Sequence, residues 1–410
     1  MALIVQKFGG TSVGSVEKIK HVANRVIEEA EKGNDVVVVV SAMGKTTDEL
    51  VSMARDISAS PSKREMDMLL TTGEQVTIAL LTMALVEKGH EAVSFTGWQA
   101  GMQTESVHGN ARILNIDASR IQAQLQAKKI VIVAGFQGMD EHGEITTLGR
   151  GGSDTTAVAI AAALHANRCD IYTDVTGVFT TDPRYIKNAR KLTSVSYDEM
   201  LELAHLGAGV LHPRAVEYAK NYQISLEVRS SLEKESGTII EEEANMEENL
   251  IVRGIAFEDS ITRVTVNGLP RSLGVLSTIF TTLAKNHINV DIIIQSMTSE
   301  DTTNLSFSIK SEDTKAALMV LENNKSQLEF DGIETEGELA KVSIVGSGMV
   351  SNPGVAAEMF EVMANTGIQV KMVSTSEIKV STVVNEKEMV KAVEALHEAF
   401  KLGQHAKVLA

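Results

Sequence analysis

Two glycine-rich turns carry the side chains best suited to chemistry. The first, Lys7-Phe8-Gly9-Gly10-Thr11-Ser12, closes a strand-like run and opens a helix-like one. Backbone N–H groups and the positive end of a helix collect phosphate oxygens at such a junction. Glycine lets the backbone approach closely, and Lys7 adds a mobile point charge. A Gly-Gly turn alone suits a plain tight connection equally well. The second, Gly149-Arg150-Gly151-Gly152-Ser153-Asp154-Thr155-Thr156, precedes the apolar residues 157–164. Arg150 has the planar fork that holds a carboxylate through two hydrogen bonds. Asp154 suits either a helix N-cap or a charged reaction centre.

Some lookalikes fail. Gly44-Lys45-Thr46 resembles the end of a Walker A loop, but the leading glycine would fall at Val39. No Gly-x-Gly-x-x-Gly follows a strand, so nicotinamide binding has no support. The ten histidines and one cysteine show no metal-ligand spacing, and metal ligands stay unassigned.

The two turns need a sheet to hold them. Leu3–Phe8 reads as a strand. Val16, Ile19, Val22, Ala23, Val26, Ile27 and Ala30 keep helical spacing, with Gly33 as the stop. Residues 36–40 are all valine, as in a central parallel strand covered on both faces. Further strands are expected at 92–95, 130–136 and 171–174. Ser196-Tyr197-Asp198-Glu199 is a capping box opening a helix towards Leu206. Alternating strands and helices imply an α/β sandwich with a mostly parallel sheet.

Composition narrows the function. The chain has 410 residues, enough for two or three domains. A net charge of -16 argues against a polynucleotide partner, which needs a basic face. The lone Cys169 lies in an apolar stretch, which fits a buried, inert thiol and a reducing compartment. No signal peptide opens the chain, and the longest apolar runs fall short of the roughly 20 residues that span a bilayer. A cytoplasmic protein without a membrane partner is expected.

Glu241-Glu242-Glu243-Ala244-Asn245-Met246-Glu247-Glu248 reads as a solvated connector. It divides residues 1–245 from a second region, 246–410. That region carries an internal repeat. Gly274-Val275 recurs 80 residues on as Gly354-Val355, and Ile279-Phe280, Ala284, Ile288 and Val290 match Met359-Phe360, Ala364, Ile368 and Val370. Each unit reads strand, loop, helix, strand, strand, helix. The units run from about 263 to 335 and from 341 to 410, with a strand at 250–257 joining the second.

With these motifs in order, the chain resembles the aspartokinase branch of the amino acid kinase family, in its monofunctional bacterial, Bacillus-type form. Thr173-Asp174-Val175-Thr176-Gly177-Val178-Phe179-Thr180-Thr181-Asp182-Pro183-Arg184 is similar to the family's nucleotide loop. Gly207-Ala208-Gly209-Val210-Leu211-His212-Pro213 is similar to its late kinase-domain motif. The repeat resembles paired ACT domains, α+β units of βαββαβ order that sense amino acids. The resemblance covers nearly the whole chain and leaves no room for the homoserine dehydrogenase half of bifunctional relatives. It implies phosphoryl transfer from Mg-ATP to the side-chain carboxylate of L-aspartate, giving 4-phospho-L-aspartate, in the lysine and diaminopimelate branch of amino-acid biosynthesis.

The resemblance also assigns roles. Lys7, Glu74, Arg150 and Asp154 would be catalytic. ATP would meet Lys7, Phe8, Gly9, Gly10, Ser41, Thr173, Asp174, Phe179, Thr180, Asp182, Pro183 and Arg184. Aspartate would meet Ser41, Thr47, Glu74, Arg150, Gly151, Gly152, Ser153 and Asp154, with Glu74 on the ammonium. A feedback effector, with lysine favoured, would lie between ACT units. Its contacts would be Arg271, Leu276, Asn289, Val290, Asp291 and Gln295 in the first unit, and Val355, Ala356, Gln369, Val370, Ser376 and Glu377 in the second. At least a homodimer is implied, and Met246 could start a separate regulatory subunit. Two departures stand out. Gly209 replaces the lysine of many relatives, and Arg271-Ser272-Leu273-Gly274 replaces Asp-x-Pro-Gly, which changes the charge beside the effector. The rival readings are a glutamate or acetylglutamate kinase and a non-catalytic amino-acid sensor.

Overall fold

The computed structural model describes residues 2–206, 210–243, 250–299 and 301–404. They fall into two compact units. The first comprises the chain through Phe179, Lys191–His205 and residues 210–243. The second comprises Thr180–Arg190, Leu206 and residues 250–404.

The first unit runs β1 (Leu3–Phe8), α1 (Val16–Ala30), β2 (Asp35–Val40), α2 (Thr46–Ile57), α3 (Lys63–Leu70), α4 (Thr72–Glu87), β3 (Ala92–Phe95), β4 (Met102–Thr104), β5 (Ile113–Ile116), α5 (Ser119–Gln126), β6 (Ile130–Ala134), β7 (Gln137–Met139), β8 (Ile145–Thr147), α6 (Gly152–Ala163), β9 (Arg168–Thr173), β10 (Ser194–Ser196), α7 (Tyr197–His205), α8 (Pro213–Tyr222), β11 (Leu226–Ser230) and β12 (Thr238–Glu241). Eight strands form one sheet in the order β10-β12-β11-β9-β1-β2-β6-β3. Every pairing is parallel except β11 with β12. The all-valine run of β2 is buried, and Ile19, Val22, Ala23 and Val26 of α1 pack on it together with Ile78, Leu81 and Leu85 of α4. β1 lies between β2 and β9, so the chain leaves it towards one side and returns on the other. In open parallel sheets, ligands bind beyond the carboxyl ends of the strands at such a reversal.

Local chemistry shifted several expected boundaries. β6 ends at Ala134 because Gly135 turns away and Phe136 takes a φ of 69°. α6 starts at Gly152, ahead of the apolar stretch, because Gly151 adopts the left-handed region (φ 68°). The Thr155 and Thr156 hydroxyls donate back to the Gly151 and Gly152 carbonyls. Ser153 and Asp154 are therefore in the first turn of a helix, not in a loop. The capping box forms as read: Ser196 N–H donates to Glu199 Oε2 at 3.1 Å and Glu199 N–H to Ser196 Oγ at 3.2 Å. A smaller sheet, β5-β4-β7-β8, was not anticipated. Its strands are too short to show a period. The helical run Lys63–Glu87 is long and apolar enough to cross a membrane by length and composition. Its buried face belongs to the core just described.

The second unit runs β13 (Gly254–Pro270), α9 (Val275–Lys285), β14 (Ile293–Met297), β15 (Thr302–Lys310), α10 (Thr314–Asn323), α11 (Lys325–Leu328), β16 (Gly332–Val345), α12 (Val355–Asn365), β17 (Met372–Thr375), β18 (Lys379–Asn385) and α13 (Met389–Ala399). Its six strands make one antiparallel sheet, β14-β15-β13-β16-β18-β17. The repeated Gly-Val pairs are helix starts. Gly274 and Gly354 cap α9 and α12 at φ 98° and 105°, where a side chain would be strained. The strand expected at 250–257 and the opening strand of the first repeat, expected from about 263, are one continuous strand, β13, with irregular register near Glu258–Arg263. The acidic connector from Ala244 onward, with Met246, lies outside the described residues, as does Gly209.

Candidate active site

Lys7 sits at the carboxyl end of β1, and its ammonium is 2.6 Å from Asp154 Oδ1 in the first turn of α6. Each side chain is only 12% exposed. A side chain at Gly9 would lie 3.3 Å from the Lys7 ammonium. The next loop, after β2, presses on this one: Gly44 N–H donates to Gly10 O at 3.0 Å, and a Cβ at Gly10 would stand 2.9 Å from Ala42 O. Ser41 is half-buried, and its N–H donates to Phe8 O at 3.1 Å. Thr47 is half-buried in the first turn of α2. The Phe8 ring is fully buried and stacks on Tyr172 at 4.4 Å, so it serves the core.

Glu74 is the most perturbed carboxyl among these. Gly73 packs against Ala42, where an added Cβ would come within 2.8 Å of the Ala42 methyl. That approach lets Glu74 Oε1 accept the Ala42 N–H at 3.0 Å. The residue is 3% exposed, and Oε2 has no partner. Burial pushes its pKa up to about 7, against the lowering effect of the backbone N–H bonds.

The second turn is held from outside. Arg214 donates to Leu148 O at 2.7 Å, Asn110 Oδ1 at 3.0 Å and Ala111 O at 3.1 Å. Buried Asp67 accepts from Thr147 Oγ at 2.6 Å and Gly109 N–H at 3.1 Å, and bonds His108 Nδ1 at 2.9 Å. The His212 ring covers Gly151, where a Cβ would fall 2.1 Å from it. Burial lowers the His212 pKa. Gly135 lies against buried Ser153. Arg150 is exposed, and its guanidinium has no ion-pair partner among the described residues. The sequence reading missed Asp67 and Arg214. Pro213 after His212 marks a helix start and could have drawn attention to Arg214, but nothing local marks Asp67.

In the expected nucleotide loop, the Thr173 hydroxyl donates to Asp174 at 3.0 Å, and Phe179 is half-buried. Thr180, Asp182, Pro183 and Arg184 fold with the second unit. There Asp182 pairs with Arg184 at 2.6 Å, and these hydrogen bonds hold the Asp182 carboxyl below its usual range.

Among the expected effector contacts, Arg271, Leu276, Asn289, Asp291 and Gln295 are exposed and Val290 is half-buried. The Asp291 carboxylate is already engaged by the Lys341 ammonium, which also meets Glu258 at 3.0 Å. Lys341 is buried, and its pKa stays raised because hydrogen bonding and charge from Asp291 and Glu258 outweigh desolvation. In the second repeat Val355 is buried in a core cluster. Ala356 and Val370 are half-buried, whereas Gln369, Ser376 and Glu377 are exposed.

Comparison with known proteins defines the class. Residues 2–230 match the amino acid kinase family, and residues 264–324 and 342–400 match an ACT domain. An aspartokinase of Bacillus sp. (strain MGA3) is 77% identical over 406 residues, 99% of each chain. The crystal structure of E. coli aspartokinase III in complex with aspartate and ADP (R-state) superposes with a TM-score of 0.81 at 27% identity, covering 97% of this chain and 99% of that one. The same enzyme with lysine and aspartate (T-state) gives a TM-score of 0.76 at 28% identity, with the same coverage. The chain belongs to the amino acid kinase family, in its aspartokinase branch with an ACT regulatory region. Its enzyme class is aspartate kinase.

Glu74 yields a test on stability. Its folded pKa is raised, so its favourable contribution is complete below the unfolded value of 4.5 and is lost as pH rises through about 7. Glu74→Gln should therefore gain thermal stability over the parent between pH 5 and about 7.5 and then level off. The gain is on the order of 3 kcal/mol at most. A melting-temperature difference that stays flat from pH 5 to 9 would show that Glu74 is not ionising in a buried site.

Proposed function

We propose that this chain moves the γ-phosphoryl group of Mg-ATP onto the side-chain carboxylate of L-aspartate, and that an end-product amino acid, lysine first, restrains it through the ACT region. The observation that carries the catalytic reading is the Lys7–Asp154 pair. It stands at the carboxyl edge of the sheet, beside backbone too tightly packed at Gly10 for any side chain. Backbone N–H groups at a strand-to-helix turn collect phosphate oxygens, and Lys7 can leave Asp154 to follow charge as it moves. Glu74, with one carboxylate oxygen unpaired, suits the aspartate ammonium. Arg150, exposed and unpaired, suits a carboxylate. The attacking carboxylate is ionised at neutral pH and needs no general base. Among the described residues no group of three His, Cys, Asp or Glu could hold a metal. Mg²⁺ would be carried on the ATP phosphates, where it would screen their charge. Positioning and neutralisation are then the main catalytic work.

The regulatory reading draws support from the ACT match and from the lysine complex of the E. coli enzyme. The charge at Asp291 favours it less than the sequence suggested, because Lys341 already answers that carboxylate. Glu377 is the exposed anion left for a cationic ligand. We also propose at least a dimer. β14 is an open sheet edge, with Ile293 51% and Met297 76% exposed.

Hydroxylamine trapping of the acyl phosphate tests the substrate. L-Aspartate should give hydroxamate and L-glutamate far less, because one extra methylene displaces the reacting carboxylate. Equal rates would refute the assignment. Lys7→Ala should stay folded by circular dichroism and lose about 100-fold in kcat; a folded variant with parental kcat removes Lys7 from the chemistry. Lysine, threonine and methionine, titrated singly and in pairs, test the effector. Lysine should inhibit, and Glu377→Ala should raise the half-inhibitory concentration about 5-fold or more. If none of the three inhibits, the regulatory reading fails.

A further inference from the structure

The segment Thr180–Arg190 leaves the first unit at Phe179 and rejoins it at Lys191, yet it folds as part of the second unit. Its centre is exposed: the Arg184 side chain is 83% exposed and braced by Asp182. Its ends are anchored. Ile186 is buried in the same core as Leu396 and Leu402, and Tyr185 meets Phe257 edge-on at 5.2 Å. Thr180 is fully buried, and all of its polar groups are used. Its N–H donates to Arg190 O at 2.8 Å, and its carbonyl accepts Ile255 N–H at 2.7 Å. Its hydroxyl oxygen accepts Arg190 N–H at 3.0 Å and lies 2.9 Å from Nε2 of His397 on α13.

We propose that His397 is a positioning residue for the nucleotide, holding Thr180 and with it the exposed limb Asp182-Pro183-Arg184. The proposal rests on the reading of that limb as part of the nucleotide loop. The hydroxyl already accepts one N–H and has one proton of its own, which it gives to Nε2. The imidazole is then neutral, with its proton on Nδ1. Burial and the neighbouring Arg190 charge, which lower the His397 pKa, favour that form. A 1% exposed histidine that bonds the first residue of this limb does more than fill space. An apolar side chain of similar size would fill the same space and leave the Thr180 hydroxyl without this partner.

The test compares steady-state kinetics of the full chain with Mg-ATP and aspartate. His397→Leu keeps the bulk and removes the bond, whereas His397→Gln keeps a hydrogen-bonding group. The leucine variant should raise KM for ATP about 3- to 10-fold, the worth of one hydrogen bond, with kcat and KM for aspartate within about twofold. The glutamine variant should restore the parental KM. An unchanged KM for ATP in folded His397→Leu overturns the proposal, as does a parallel loss in all parameters that glutamine does not rescue. Arg184→Ala separates this from the underlying reading. If Arg184→Ala leaves KM for ATP unchanged, the loop reading falls and the proposal with it. If Arg184→Ala raises KM for ATP while His397→Leu does not, only the role of His397 falls. Should His397→Leu fail to fold, His397→Met removes the same bond with a more adaptable side chain. A raised KM for ATP in the methionine variant that the glutamine variant does not share supports the proposal, and equal values overturn it.

Discussion

A lysine at the end of a central strand needs an opposite charge wherever water is largely excluded. Lys7 is in that position, and Asp154 meets the need at 2.6 Å. Much of the first unit follows from bringing those two residues together. β1 must end beside the start of α6, a helix buried along most of its length. Such a helix has no solvent face to orient it, so its start must be set by its cap. Gly151 in the left-handed region and the two back-bonded threonines set it there. α6 then returns into β9, which pairs with β1 on the side away from β2. The reversal of strand order at β1 and the charge pair are thus two aspects of one arrangement.

Around that pair, backbone sets the walls. Ala42 is approached by Gly10 from one loop and by Gly73 from the first turn of α4, each too close for a side chain. Ser153 is approached by Gly135, and the His212 ring by Gly151, in the same manner. Only a few side chains project into the space that remains. Glu74 is held there at a cost, since a buried carboxylate with an unpaired oxygen is poorly solvated. A cationic partner would offset that cost, which makes the site selective before any substrate contact is optimised.

What could be read from the residues depended on how local the signal was. The valine run of β2, the spacing of α1 and the Ser196–Glu199 box each carry their own physics within a few residues, and each took the expected form. Lys7 and Asp154 were picked out separately by their turns, but their contact joins residues far apart in the chain. The support of the second turn was hidden for the same reason. Asp67 and Arg214 act across many residues on backbone that carries no distinguishing side chain. Asp291 shows the same limit from the other side. Its charge invited a ligand, while the lysine that answers it lay on a distant strand.

The second unit shows why two repeats need not act as two devices. β13 and β16 pair along most of their lengths, and each is divided between both repeats. The early part of β13, with Ile255, joins the core that contains Val342, Met359 and Leu396; the later part, with Val264 and Val266, joins the core that contains Ile279 and Phe307. A third cluster joins Ile261 and Ile292 to Leu339, Met372 and Val383, so it takes residues from both repeats. Lys341 ties Asp291 of the first repeat to strand β16 in the same region. Close-packed interiors shift between discrete arrangements more readily than they stretch. A ligand that favours one arrangement of either repeat therefore acts on strands that the other repeat also owns.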